Sequence, residues 1–195
     1  MLIRFLDIVI SLLALVLLSP VFLILMLIIL IVDGSPVFFV QNRTGKNFSE
    51  FRMYKFRTMI RDSEDEKGIT TGSSDVRITR LGQKLRKYKF DEWPQFFNVL
   101  SGSMSVIGSR PQIPYYTRKF EDLYSQILVK KPGILSPSAI QYSNEEEILA
   151  AIDDPVSYYE NHLIPVKCRM DIEMVRKFGV KLYFNALFSF VKKIL

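Results

Sequence analysis

The sequence predicts a mostly helical α+β fold: an apolar membrane helix, a small β-hairpin and a compact helical domain. Three observations lead there. Ile8 to Val32 is almost wholly apolar, longer than the roughly 18 residues that mark a membrane segment. Two short runs rich in aromatic and apolar residues follow, Val37–Gln41 and Phe48–Met59, separated by the turn signal Asn42-Arg-Thr-Gly45. Beyond Ser74, helix starts and stops recur, with capping residues in front and Gly or Pro behind. The chain of 195 residues divides into the membrane helix, 1–33, and a membrane-associated domain, 34–195.

The apolar run competes with a cleaved signal peptide. Such a peptide has an apolar core of about 7–15 residues and ends at small residues. Here the run is longer and ends in Asp33-Gly-Ser-Pro36, a turn that fits a cleavage site poorly, so it reads as a retained anchor. Pro20 removes a backbone donor and crowds the preceding turn, which predicts a kink. Ser19 is placed to bond a carbonyl that the proline frees. Two geometries follow. The helix spans with a kink, or Ser19-Pro20 bends it so that both ends return to one face. Its length alone favours spanning.

After the hairpin, Arg61 to Ser74 is polar and charged and reads as a mobile loop with solvated acids. Thr79 caps a helix running to about Tyr88. A second helix is expected from Asp91, with Phe90 as a staple, Pro94 in the first turn and Gly102 at the end. Phe96, Phe97, Val99 and Leu100 would form its buried face. A third helix is expected over Ile113–Lys130, ended by Lys131-Pro-Gly133, and then a loop over Ile134–Ser143. Asn144 begins a short helix whose first turn holds Glu145, Glu146 and Glu147, acids that favour a positive helix end. Another short helix begins at Asp154–Tyr159, and a long helical pattern runs from Pro165 to the C-terminus. Its stripe of Val180, Tyr183, Phe184, Leu187, Phe188, Val191 and Ile194 suits core packing. With Lys192, Lys193 and a membrane nearby, it also suits an interfacial amphipathic helix.

The net charge of +6 lies wholly after the apolar run, because Arg4 and Asp7 cancel. A basic domain beside a bilayer suits an anionic cytoplasmic leaflet and polyanionic substrates. No zinc-finger spacing or recognition-helix motif accompanies the charge, so no nucleic-acid partner is expected. Cys168 is the single cysteine, which excludes an intrachain disulfide and a cysteine zinc site; it reads as apolar filler. His162 is the single histidine, in a loop-like stretch without a triad signature. The catalytic repertoire is therefore carboxylate, Lys and Arg, which favours phosphoryl chemistry.

The stretch Arg80 to Pro111 concentrates those residues. Asp91 and Glu92 are adjacent; Arg80, Lys84, Arg86, Lys87 and Lys89 precede them and Arg110 follows. Read locally, they are either the acids that helix ends prefer or a phosphate site. In such a site one carboxylate attacks or holds a metal while the cations neutralise phosphate oxygens.

Several motifs then occur in order: Ser19-Pro20, Gln41-Asn-Arg-Thr-Gly45, Tyr54-Lys-Phe-Arg-Thr-Met59, Asp75-Val-Arg-Ile-Thr-Arg80 and Leu85-Arg86. They continue with Asp91-Glu-Trp-Pro-Gln95, Asn98-Val-Leu100, Gly102-Ser-Met-Ser105 and Gly108-Ser-Arg-Pro111. Together they resemble the bacterial sugar transferases known as small monotopic phosphoglycosyl transferases, well over residues 1–133 and loosely beyond. The resemblance implies transfer of a sugar 1-phosphate from a UDP-sugar to polyprenyl (undecaprenyl) phosphate with release of UMP, the step that begins glycoconjugate assembly. It implies a re-entrant N-terminal helix broken at Ser19-Pro20, overriding the spanning geometry. It also implies a monotopic location on the cytoplasmic face of the bacterial inner membrane, among membrane lipid, and leaves room for a homodimer.

Carried over by position, Asp91 resembles the nucleophile of an Asp-Glu dyad and Glu92 its partner, the two together placing Mg²⁺. Splitting the transfer through an aspartyl intermediate lets one site serve a soluble and a lipid substrate in turn. Lys55, Arg57, Arg86 and Arg110 match basic motif positions and read as phosphate clamps. A helix N-terminus at Asp91 would add backbone donors and help keep it ionised. Asp75 and Arg77 read as a structural ion pair. Gln95 and Asn98 are open between nucleotide contact and helix packing. The chain departs from the family pattern at Ser103, where an Asp is usual, at Ser109, where a Pro is usual, and over Ile134–Ala139. The last change leaves the sugar unidentified. The first two allow a weak or altered enzyme, and all three motivate an alternative, a weak or inactive membrane-bound homologue acting as a scaffold.

Overall fold

The computed structural model describes residues 1–61, 63 and 75–194, so most of the loop expected over 61–74 lies outside the described residues. The chain opens with α1 (Leu2–Val32), a helix long and apolar enough by length and composition to cross a membrane. It continues through Pro20. The missing proline N–H strands the carbonyl four residues back, and the Ser19 hydroxyl donates to that carbonyl, Val16 O, at 2.8 Å. Much of the helix surface is bare: Leu13, Leu17, Ile24, Leu27 and Ile31 are all exposed. A continuous apolar face of this kind marks a membrane or an interface rather than water.

Both ends of α1 are fastened to the rest of the chain. Near the start, Arg4 donates to the carbonyls of Val99 (2.5 Å) and Leu100 (2.8 Å). Asp7 is buried and accepts from the Ser105 hydroxyl, the Val106 N–H and the Tyr183 hydroxyl, each at 2.9 Å. At the far end, the Asp33 carboxylate accepts from Thr79 Oγ1 at 2.9 Å. Arg57 donates to the carbonyls of Asp33 and Gly34, both at 2.6 Å.

The hairpin forms as expected but with its turn moved. Strand β1 (Phe38–Thr44) pairs antiparallel with β2 (Glu50–Phe56), from Phe38 opposite Phe56 to Thr44 opposite Glu50. Asn42, Arg43 and Thr44 are therefore strand residues. The reversal lies at Gly45–Ser49, around a short 3-10 turn in which Asn47 and Phe48 adopt positive φ.

Helix α2 (Arg80–Lys87) has the predicted cap, with Thr79 Oγ1 accepting from Gly82 N at 2.9 Å. Gly82 has to be glycine, because a Cβ there would lie 2.1 Å from the Thr58 carbonyl oxygen. This close approach brings Arg86 within 2.9 Å of Thr58 Oγ1. The next helix begins later than expected. Phe90–Glu92 form a separate 3-10 turn, and α3 (Gln95–Ser101) follows Pro94 and ends at Gly102 in the left-handed region. Val99 is fully buried on α3, but Phe97 is exposed and meets Phe22 of α1 edge-on at 5.9 Å.

Two three-residue strands were missed. Strand β3 (Ser105–Ile107) runs parallel to β4 (Gly133–Leu135), inside the stretch expected to be a helix stop and a loop. Their contact is tight: a Cβ on Gly133 would lie 2.1 Å from Gly108 N. The expected single helix over 113–130 is two, α4 (Pro114–Lys119) and α5 (Glu121–Ile127), because Phe120 leaves helical dihedrals. Then come α6 (Pro137–Gln141), α7 (Glu145–Ala150) and α8 (Pro155–Tyr158), the last capped by Asp154. A π-helical turn (Tyr159–Leu163) leads into α9 (Ile164–Arg176), and His162, expected in a loop, stacks on Tyr158 within that turn. Gly179 separates α9 from α10 (Val180–Ile194), so the C-terminal pattern is two helices.

Three apolar clusters hold these elements. One is built by α4, α5, α7 and α9 around Tyr124, Ile127, Leu163 and Cys168. The second joins the first half of α1 to β3 and α10 through Met104, Ile107 and Tyr183. The third joins the second half of α1 to the hairpin and α2 through Phe22, Ile29, Phe56 and Leu85. Tyr183 of the C-terminal stripe is thus core, whereas Phe188 is exposed.

Candidate active site

A pocket of about 1240 Å³ opens between the hairpin, α2, the Phe90–Glu92 turn and the cluster of α5, α7 and α9. Asp91 and Glu92 sit in its wall, both buried. The local backbone explains how two adjacent acids come to face inward. Helix α2 stops at Tyr88, and Lys89 takes a left-handed conformation with φ 58°. That conformation costs a non-glycine residue on the order of 1 kcal/mol, and it turns the chain into the short 3-10 segment carrying the acids. The acids therefore do not occupy the first turn of α3. Burial and the neighbouring side-chain charges act on their ionisation.

Glu92 is the hub of an ion network. Its Oε1 accepts from Arg110 Nη2 at 2.6 Å and from Lys55 Nζ at 3.1 Å, while Oε2 lies 3.4 Å from Arg110 Nη1. Burial pushes the Glu92 carboxyl up, but Arg110 and Lys55 outweigh it and hold the group well below the usual range. Burial likewise lowers Lys55, with Glu92 opposing, and Arg110 is held up by Glu92. Asp91 is different. Lys55 is 3.9 Å from its Oδ2, and Oδ1 is buried with no hydrogen-bond partner among the described residues. Burial raises the Asp91 carboxyl, against the pull of Lys55, and the negative Glu92 raises it further. The acids precede α3 and do not start it, and burial, which raises Asp91, acts against the expected helix-end effect.

Pairs of titratable groups pushed apart in this way mark divided roles. Glu92 is a fixed anion that anchors two cations. Asp91 keeps an oxygen free and retains the greater basicity of the two. A buried oxygen without a partner costs roughly 1–3 kcal/mol, and Asp91 Oδ1 is such an oxygen among the described residues.

Of the four predicted clamps, Lys55 and Arg110 are joined to the dyad. Arg86 lines the same pocket and adds a weaker pull on Asp91, but its guanidinium is engaged by Glu146 of α7 at 2.9 Å. Arg57 is not brought to the dyad: it lines the pocket, but its Nη2 donates to the two carbonyls that end α1. Asn98 packs rather than binds, taking the Tyr54 N–H at 3.0 Å and donating to the Arg52 carbonyl at 2.7 Å. Asp75 and Arg77 form the expected pair at 2.6 Å. Cys168 is buried filler, its thiol pushed up to about 11 by burial.

Several pocket residues had no role in the sequence reading. Arg43 is half-buried near Arg110, donating to Gln41 Oε1 at 2.6 Å, and desolvation together with Arg110 lowers it to about 10. Glu145 pairs with Lys167 of α9. Both Glu145 and Glu146 read locally as helix-end acids, and only the fold turns them inward. Asp171 did leave a signal. It falls on the otherwise apolar face Ile164, Cys168, Ile172, Val175, where an acid is out of place.

Magnesium ion commonly takes one or two carboxylates, substrate phosphates and water. Asp91, with an unpartnered oxygen in a pocket rich in cations, fits that use. Both Glu92 oxygens are already engaged by Arg110, which makes Glu92 the poorer ligand. No group of three or more His, Cys, Asp or Glu side chains suited to a metal occurs among the described residues.

The dyad thus lies in a pocket whose lining cations outnumber its acids, in a chain that also carries a bare apolar helix. The chain belongs to the bacterial sugar transferase family, whose model it matches over residues 1–195. It is 40% identical over 134 residues to the UDP-N-acetylgalactosamine-undecaprenyl-phosphate N-acetylgalactosaminephosphotransferase of Aeromonas hydrophila, covering 67% of this chain and 32% of that one. It is 34% identical over 156 residues to the UDP-glucose:undecaprenyl-phosphate glucose-1-phosphate transferase of Klebsiella pneumoniae, covering 78% of this chain and 34% of that one. A third relative, the exopolysaccharide production protein ExoY of Sinorhizobium fredii, is 30% identical over 173 residues, 81% of this chain and 76% of its own. The chain spans about a third of the length of the first two relatives.

Proposed function

We propose that this protein transfers a sugar 1-phosphate from a UDP-sugar to undecaprenyl phosphate, with UMP as the other product. One observation carries the reading: the unpartnered Oδ1 of Asp91, next to a glutamate that anchors two cations in the same pocket. Asp91 Oδ1 bonds to the β-phosphorus as the bond from that phosphorus to the bridging oxygen breaks. The bridging oxygen leaves on UMP with the electron pair. An oxygen of the lipid phosphate then attacks the same phosphorus, and the Asp91 carboxylate departs with its pair. Entering and leaving groups are anions, so no proton transfer is needed, and the histidine-free site is sufficient. Lys55 and Arg110 offset charge on the transferring group. Magnesium ion, held by Asp91 with the diphosphate and water, would add further charge neutralisation.

The relatives' names support this reading and leave the sugar open, since they specify N-acetylgalactosamine in one case and glucose in another. The non-catalytic alternative gains nothing from Ser103 or Ser109, whereas Ile134 and Ala139 of the third departure do line the pocket. Ser103 donates to the Asn98 carbonyl at 3.1 Å and Ser109 is buried behind Arg110; neither lines the pocket. A screen of UDP-sugars with undecaprenyl phosphate, read as UMP release, tests the proposal. Release with at least one sugar is expected; release with none would overturn it.

The fastenings of α1 support a re-entrant, monotopic placement. Arg4 and Asp7 near one end, and Asp33 at the other, all contact the same domain. Their residues accordingly lie on one side of the bilayer, the cytoplasmic side if the lipid phosphate meets a UDP-sugar. A cysteine placed before Leu2 should react with a membrane-impermeant maleimide only in opened cells. Labelling of intact cells would contradict this topology.

A further inference from the structure

We infer that the end of the pocket floored by Asp171 of α9 seats the sugar, and that Asp171 is the residue that selects which sugar is accepted. The inference rests on the transferase reading above. In an in-line displacement the attacking and leaving oxygens lie opposite each other across the phosphorus. UMP therefore departs from the position opposite Asp91, and the lipid phosphate later attacks from that same position. The sugar hangs from another oxygen of the phosphorus and stays in place through both steps. It needs a seat off the lipid's route.

The pocket supplies two ends. One lies beside α1, where the Phe38 ring meets Phe22 at a tilt, 6.2 Å between centroids, and Phe90 lies 4.7 Å from Trp93. That apolar wall is continuous with the bare membrane helix and suits an arriving prenyl chain. The other end is formed by α5, α6, α7 and α9, away from α1, and holds Tyr159, Lys167 and Asp171. A polar track connects it to the dyad. Arg110, which grips Glu92, also feels Glu145, and Glu145 pairs with Lys167, one helical turn from Asp171.

Asp171 is only 6% exposed, yet its Oδ1 has no hydrogen-bond partner among the described residues. The buried Ser138 hydroxyl, 3.1 Å from that of Ser136, opposes the effect of burial on this carboxyl. Burial pushes the Asp171 carboxyl up to about 7, so near neutral pH it can accept from a sugar hydroxyl or donate to one. Tyr159, with its hydroxyl taken by Gln112 at 2.6 Å, presents an aromatic wall nearby. A few fixed polar groups in a largely apolar pocket are what orient a small ligand. An acid that loses its partner when the wrong sugar binds discriminates by leaving itself unpaired.

The test compares wild type with Asp171→Leu, which keeps bulk but removes both oxygens. The protein is the full chain in lipid nanodiscs. The ratio of kcat/KM between the best and next-best UDP-sugar should fall at least about tenfold, while inhibition by UDP is unchanged. Removing an unpartnered buried carboxyl should leave the melting midpoint equal or higher. Ser138→Ala, which only loosens the hold on Asp171, should lower the ratio less. If the ratio stays within about threefold of wild type in both variants, the sugar seat is overturned while the transferase reading stands. A lowered midpoint with an unchanged ratio gives Asp171 a structural role and overturns the seat as well. If wild type releases UMP from no UDP-sugar, the transferase reading fails and the seat fails with it.

Discussion

Asp91→Asn is expected to lower UMP release by at least about three orders of magnitude, the scale of losing a covalent nucleophile. The amide has the shape of the carboxylate but lacks the charge and lone-pair basicity to attack phosphorus. Lys55 would still hold Glu92, and Arg110 would still grip it, so the cation shell survives the change. The variant should also lose the adduct that wild type forms with a UDP-sugar alone, read by intact-protein mass as one sugar phosphate on the chain. Stability supplies a control with a definite sign. Burial raises the Asp91 carboxyl above its unfolded value. The folded state then binds the proton more tightly, and ionising the group at neutral pH costs stability. A neutral amide removes that cost, so the variant should melt no lower than wild type. Near-wild-type UMP release in a folded variant would remove Asp91 from the reaction.

The parts of this site that were legible in the sequence are those made by neighbours in the chain. Asp91 and Glu92 are adjacent, and Arg86, Lys87 and Lys89 of the preceding stretch line the same pocket. Lys55 and Arg110, which pair with the dyad, were legible as clamps only through the motif resemblance. Ser19 was readable because proline frees the carbonyl four residues back, a strictly local relation, and the hydroxyl does bond Val16. Thr79 was readable for the same reason. What failed was either too short or too distant to leave a pattern. Strands β3 and β4 have three residues each, too few for an alternation to register, and their pairing joins segments 28 residues apart, as in Ser105 with Gly133. The Phe90–Glu92 turn depends on a positive φ at Lys89, a residue type that gives no hint of it. Arg57 looked like Lys55 in the same motif, yet Lys55 of β2 faces the dyad while Arg57, just past the end of the strand, reaches the end of α1. Glu145 and Glu146 had a complete local explanation as helix-end acids. Their inward pairing with Lys167 and Arg86 spans 22 and 60 residues, and no local rule reports it.

Glu92→Gln is the stronger test of the division between the two carboxylates, because it predicts a shift as well as a loss. Transfer requires ionised Asp91, so the rate falls as pH drops through the Asp91 value. Since burial and Glu92 both raise that value, the acid limb of the wild-type profile should lie above the usual carboxylate range. Replacing Glu92 by Gln removes the negative neighbour and releases Lys55 and Arg110 from their strongest partner. Both changes favour ionised Asp91, so the acid limb should move to lower pH. The plateau should nevertheless fall by about 10²-fold, the size of losing a preorganised charge contact. Two causes add: a less basic carboxylate is a poorer nucleophile, and Arg110 loses the anchor that aims it at the phosphate. Stability should move the other way from Asp91→Asn. Glu92 is held well below its unfolded value, so it stabilises the fold above the ordinary glutamate range and loses that contribution only as pH falls through its depressed value. Glu92→Gln should therefore lower the melting midpoint at neutral pH and bring it closer to wild type in acid. A pH–rate series for UMP release, run beside melting curves, checks both signs. An acid limb that stays in place or moves upward would show that Glu92 does not set the Asp91 ionisation, and the two acids would then have to share the attacking role.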